Sequence, residues 1–138
     1  TSIWFWPSPK GVWDPTMIAL VIDDSRAVRV MIGRMLASLD FEILQAANGQ
    51  EGLDQLSAGV VPDVVLVDWH MPVLTGIEFV TAARSQSYGY SGPIVMVTTE
   101  TEVDSIGRAL AAGANEDVMK PFDVEVLRDK LSILGLVE

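Results

Sequence analysis

Residues 64–68 read Val64-Val65-Leu66-Val67-Asp68, an unbroken apolar run that ends on a carboxylate. A short run of branched aliphatic side chains suits a strand buried on both faces, the environment of a parallel sheet. The same pattern recurs on either side of it. Ile18 to Ile22 is apolar and leads into Asp23 and Asp24, Ile94 to Val97 leads into Thr98, and Val118-Met119 leads into Lys120 and Pro121. Phe41 to Ala46 supplies one more strand, closed by turn chemistry at Asn48-Gly49.

Helical spacing fills the intervals. Ser25 or Asp24 can cap a helix whose Val28, Ile32, Met35 or Leu36, and Leu39 share a face. Leu53 and Leu56 mark a short second helix. Ile77, Val80 and Ala83 or Arg84 mark a third, running from Gly76 to about Ser87 and followed by a loop over 88–92. Ile106, Leu110 and Gly113 share a face of a fourth that begins near Glu102, and Val124, Leu127, Leu131 and Leu134 form the inner stripe of a last one. Strict alternation of this kind predicts an α/β fold, a doubly wound five-stranded parallel sheet with right-handed crossovers.

Composition narrows the function classes. The 138 residues suggest one domain able to bury a core, with 49% apolar and 20% charged residues as in ordinary globular chains. Nine basic residues against 19 acidic ones give a net charge of −10, which argues against nucleic acid and anionic membrane as partners. No apolar run approaches the roughly 20 residues of a membrane span. The absence of cysteine excludes disulfides, thiol catalysis and thiolate metal sites. Nothing suggests export, so the cytoplasm is the expected compartment. Residues 1–16 stand apart: they hold three of the four Trp and three of the seven Pro and show no period. They read as an N-terminal extension, either upstream and non-native, with Met17 as the native start, or an aromatic peptide that docks on its own domain or a neighbour. Residues 17–138 read as the folded domain.

The chemistry-bearing residues fall at the expected strand ends. In open α/β sheets, ligands collect beyond the carboxyl ends of the strands, so Asp23, Asp24, Asp68, Thr98 and Lys120 are expected to face one pocket. Clustered carboxylates repel one another unless a divalent cation joins them. Asp68 is the candidate nucleophile, forming an acyl phosphate. Asp23 or Asp24, or both, would offer oxygens to Mg2+, Lys120 would neutralise a phosphoryl oxygen, and the Thr98 hydroxyl would donate to another. Taken singly, each has a plainer reading: an Asp after a strand is usually a helix cap, and a lysine is usually a solvated charge. Their joint placement after successive strands favours the phosphoryl site.

These residues carry a resemblance. Val21-Ile22-Asp23-Asp24-Ser25-Arg26, Asp68-Trp69-His70-Met71-Pro72 with Gly76, Val97-Thr98-Thr99-Glu100, and the stretch from Gly113 to Phe122 together resemble a response-regulator receiver domain of the CheY-like, single-domain kind. The separations of 45, 30 and 52 residues between Asp23 and Asp68, Asp68 and Thr98, and Asp68 and Lys120 also match that family. The resemblance covers residues 17–138 almost end to end. It implies strand order 2-1-3-4-5, phosphorylation of Asp68 by a histidine kinase, a phosphotransfer protein or a small phosphodonor, and Mg2+ organised by Asp23, Asp24, Asp68 and the backbone carbonyl of His70. It further implies movement of Thr98 toward the phosphoryl group and a cis Lys120-Pro121 bond. An output protein would bind the face of the fourth helix, fifth strand and fifth helix, with chemotaxis as the leading pathway. Self-association is left open, and DNA binding is not expected.

Departures from the family are specific. Asp117 stands where an aromatic side chain usually swings inward, and a carboxylate cannot fill an apolar hole without a desolvation cost. His70 and Glu100 border the phosphoryl position and can influence its hydrolysis, while the plainer reading of His70 is a solvent-facing imidazole. Thr75 replaces a more usual acidic or amide residue and reads as neutral. Trp69 is placed to report metal or phosphate binding. Three competing functions follow from the same fold: a phosphate shuttle or sink, an aspartyl-phosphate phosphohydrolase, and a flavodoxin-like FMN carrier. The phosphohydrolase would carry a second Asp where this chain has His70. The FMN carrier would need a hydroxyl- and glycine-rich loop where this chain has Asp23-Asp24-Ser25-Arg26.

Overall fold

Helices cover both faces of a parallel sheet whose strands run in the order β2-β1-β3-β4-β5. The computed structural model describes residues 16–99 and 105–138. Its elements are β1 (Met17–Ile22), α1 (Arg26–Ser38), β2 (Phe41–Ala46), α2 (Gly49–Ser57), β3 (Val64–Asp68), α3 (Gly76–Arg84), β4 (Ile94–Thr98), α4 (Ile106–Ala112), β5 (Glu116–Met119) and α5 (Val124–Ile133). The extension up to residue 15, Glu100 and the expected start of the fourth helix lie outside the described residues.

The central apolar runs are fully buried because two layers of helix cover them. Every residue of β3 and of β4 is buried. Alternate side chains feed opposite cores: Leu20, Ile22, Val65, Val67 and Met96 pack with Phe79 and Val80 of α3, whereas Ala19, Val21, Leu66 and Val97 pack with Ile32 and Leu36 of α1 and Leu127 and Leu131 of α5. This period-two division of β1, β3 and β4 between two apolar layers explains why their runs show no polar alternation, whereas edge strand β2 exposes Glu42 and Gln45.

Helix starts are set by side-chain caps. Ser25 accepts from the Val28 amide at 3.3 Å, Asn48 from Glu51 at 2.9 Å, and Asp123 from Val126 at 3.0 Å. Thr75, which read as a neutral replacement, caps α3: its hydroxyl accepts from the Glu78 amide at 3.2 Å while Glu78 accepts from the Thr75 amide at 2.9 Å. A reciprocal box of this type satisfies two otherwise unpaired donors.

Three details depart from the periodic reading. In α4 the buried side chain is Ala109, and Leu110 is exposed. The third helix ends at Arg84 because Ser85 is already extended. Arg84 then turns from the helix to hold the carbonyls of Gly113, Tyr90 and Gly92 and the Asn115 side chain. The segment read as a plain loop buries Tyr90, whose hydroxyl donates to the Pro62 carbonyl at 3.0 Å.

Candidate functional site

Sheet register brings the strand ends level. Ile22 pairs with Val67, Asp68 with Val97, and Thr98 with Met119, so the residues that follow β1 and β5 and those that close β3 and β4 emerge along one edge. Oxygens of Asp23, Asp24 and Asp68 lie within 4.8 Å of one another. Asp23 and Asp68 are buried and Asp24 is exposed. The Lys120 ammonium reaches in from the end of β5, 3.0 Å from Asp68 Oδ1 and 3.2 Å from Asp23 Oδ2. The Lys120-Pro121 peptide bond is cis.

Charge balance in this cluster is uneven: three carboxylates face one ammonium. The Asp68 pKa is raised, first by burial and then by the neighbouring Asp23 and Asp24, against the opposing pull of Lys120. The Lys120 pKa is raised as well; burial opposes its charge, but Asp68 and Asp23 together outweigh burial. Both partners of one ion pair shift upward because burial dominates at Asp68, with the neighbouring carboxylates adding to it, whereas at Lys120 the two carboxylates outweigh burial. Three carboxylates at this spacing form a hard oxygen donor set that fits a divalent cation of the magnesium class.

The remaining candidates occupy distinct places. Thr98 is buried, and its hydroxyl points across to the Val118 carbonyl on β5 at 3.5 Å, the long limit for a hydrogen bond. His70 is exposed on the loop after β3. Trp69 is half-buried against the α3 side of the core, and its amide donates to the Val97 carbonyl at 3.0 Å. Asp117 is half-buried in β5.

Backbone geometry around Asp68 supplies residues whose roles the sequence reading left unassigned. Gly76 donates its amide to the Trp69 carbonyl at 2.9 Å, and a Cβ added there would come 2.5 Å from the Asp68 carbonyl oxygen. Only glycine lets α3 approach the strand end this closely. Just before it, Val73 adopts φ 75°, with the Leu74 amide donating to the Pro72 carbonyl at 2.9 Å. This three-residue turn is of the strained kind, and a β-branched residue fits it poorly. On the other flank, Arg29 of α1 donates to the Asp23 carbonyl at 2.6 Å. No local sequence signal announces that contact, because it depends on where α1 lies against the end of β1.

Comparison with known proteins places this geometry. The family described as "Response regulator receiver domain" matches residues 19–132, and the chain belongs to that family. It is accordingly a two-component phosphoacceptor of the receiver class. Chemotaxis protein CheY1 of Helicobacter pylori is 38% identical over 119 residues, which cover 86% of this chain and 96% of the relative. Chemotaxis protein CheY of Pseudomonas aeruginosa is 36% identical over 116 residues, covering 83% and 93%. Among solved structures, chemotaxis protein CheY4 of Vibrio cholerae superimposes with a TM-score of 0.79 at 37% identity, covering 87% of this chain and 99% of that one.

Proposed function

We propose that Asp68 is the phosphoryl acceptor, and that a histidine kinase, a phosphotransfer protein or a small phosphodonor supplies the group. The observation that carries this reading is the Lys120 ammonium 3.0 Å from Asp68 Oδ1 beside two further carboxylates. An Asp68 oxygen attacks phosphorus; with a phosphohistidine donor the P–N bond breaks and the released imidazole takes up a proton, and with acetyl phosphate the P–O bond breaks and acetate leaves. Asp23, Asp24, Asp68 and the His70 backbone carbonyl would hold Mg2+, which neutralises phosphoryl charge when bound. Lys120 binds a phosphoryl oxygen and offsets its charge, exchanging its contact with Asp68 for one with the transferred group. Thr98 leaves the Val118 carbonyl to donate to another phosphoryl oxygen; its present contact is long enough to be given up at small cost.

In this reading residues 17–138 are the receiver unit and residues 1–16 an extension. The switch works in the cytoplasm within chemotaxis signalling, the function named for its relatives. Phosphorylation shifts a pre-existing equilibrium in the face built by α4, β5 and α5, which binds an output protein and offers a surface for self-association. With Asp117 in place of an aromatic residue, the signal passes through Thr98 and β5. The protein turns over no other substrate: the only reactions it promotes are gain and loss of its own phosphoryl group. The test is phosphotransfer from candidate histidine kinases to the intact chain and to Asp68→Asn. Labelling confined to the intact chain supports the reading; equal labelling of both ends it.

A further inference from the structure

The Asp23-Asp24 peptide is held by a side chain that the phosphoryl chemistry does not use. Arg29 sits in the first turn of α1, half-buried, with Nη1 donating to the Asp23 carbonyl at 2.6 Å and Nε donating to the Gln45 side-chain oxygen at 3.0 Å. Gln45 is near the end of β2, where its own carbonyl accepts from Gln55 at 2.8 Å. We propose that the Arg29–Gln45 pair is a positioning device for the cation site, fixing the peptide that joins two of its three carboxylates; this rests on the function proposed above.

Three observations lead to it. First, the carbonyl in question belongs to the peptide between Asp23 and Asp24, and a peptide unit is planar, so holding its oxygen orients both flanking α-carbons. Second, Asp23 is restrained at every other polar atom. Its amide donates to the Ala46 carbonyl at 3.2 Å, Oδ1 accepts from the Ser25 amide at 2.8 Å, and Oδ2 accepts from Lys120 at 3.2 Å. Arg29 closes the last free point. Third, the helix does not need this contact: Ser25 caps α1, and the Arg29 amide already bonds the Ser25 carbonyl at 3.0 Å. A guanidinium at the start of a surface helix would otherwise extend into water. Its planar fork holds the carbonyl and the amide oxygen together in a fixed geometry, which the single freely rotating ammonium of a lysine does not impose.

Arg29 also places a permanent positive charge on the Asp23-Asp24 peptide, and this acts on cation binding in the opposite direction. Losing the charge alone would tighten Mg2+, and losing the positioning would weaken it. Gln45 separates the two, because removing a neutral anchor leaves the charge in place. The experiment measures Mg2+ affinity at fixed ionic strength, by calorimetry and by Trp69 fluorescence, for the intact chain, Asp68→Asn, Gln45→Ala, Arg29→Lys and Arg29→Gln. Thermal unfolding without metal is followed in parallel. Partners that orient metal ligands are generally worth tenfold or more in affinity. Arg29→Gln should therefore weaken Mg2+ about tenfold, with Gln45→Ala and Arg29→Lys several-fold weaker than the intact chain. An unchanged affinity in Gln45→Ala, or a tighter one in Arg29→Gln, overturns the proposal while leaving the parent reading intact. An intact chain that acquires no Mg2+-dependent label from acetyl phosphate removes both.

Discussion

Lys120 and Asp68 meet at 3.0 Å although their strands, β5 and β3, are separated by β4 in the sheet. The contact exists because a lysine stem is long enough to cross one strand width along the common edge. It joins residues 52 apart in sequence, so the site is assembled only when the whole right half of the sheet is in register. An ammonium held there is placed where negative charge concentrates once Asp68 carries a phosphoryl group.

Replacing Lys120 by Gln should therefore slow Mg2+-dependent labelling of Asp68 by acetyl phosphate. Removal of one positioned charge donor from a reacting centre costs about 10²-fold. The rate of acylphosphate formation, followed with radiolabelled or mass-resolved phosphodonor at saturating Mg2+, checks it.

Stability should depend on Asp68 in a definite direction. Its pKa in the fold lies above the ordinary value of 3.8, so the folded state holds this proton more tightly than the unfolded chain does. The ionised group then costs stability, and the cost grows as pH rises from 3.8 through the folded value. Asp68→Asn should unfold at a higher temperature than the intact chain at neutral pH without metal, with the difference disappearing below pH 3.8. Lys120 works in the other sense: its raised pKa gives stability that is present below its ordinary 10.5 and lost as pH climbs past its folded value. Thermal unfolding of both proteins across pH measures the two effects.

Gly76→Ala tests the close approach of α3 to the strand end. The added methyl would meet the Asp68 carbonyl oxygen at 2.5 Å and the Met96 methyl at 2.7 Å. Met96 can shift but the β3 backbone cannot, so the substitution should cost about 1–3 kcal/mol in denaturant unfolding and lower the labelling rate.

Val73→Gly should go the opposite way. Val73 is 73% exposed and sits at φ 75°, so its side chain adds backbone strain and little packing. Relief of a left-handed conformation in an L-residue is worth roughly 1–2 kcal/mol, partly offset by the greater entropy of unfolded glycine. A net gain in the urea midpoint is expected.

The fold was legible because the pattern is local. β2 spans the residues read for it, and β1, β3 and β4 differ from their apolar runs by one residue each, because the central parallel strands leave no polar position inside them. The carboxylates and Lys120 were legible for a related reason: each ends a run, and parallel strands end at one edge. What escaped was set by tertiary contact. Phe79 is wholly buried yet fell outside the helical stripe read from Ile77, Val80 and Ala83. Leu110 has the right spacing for a core position, but small Ala109 is the residue that fits against the sheet. Thr75 looked neutral because a capping box shows only once the helix start is known. Arg29 drew no reading from sequence because its acceptor lies six residues back, just past the end of β1.

The most direct measurement of the central claim is Mg2+-dependent phosphoryl labelling of the intact chain, with the labelled residue located by mass spectrometry. One phosphoryl group is expected on Asp68, not formed when the metal is chelated beforehand and absent from Asp68→Asn. Labelling on another residue, or labelling that is indifferent to Mg2+, would contradict it.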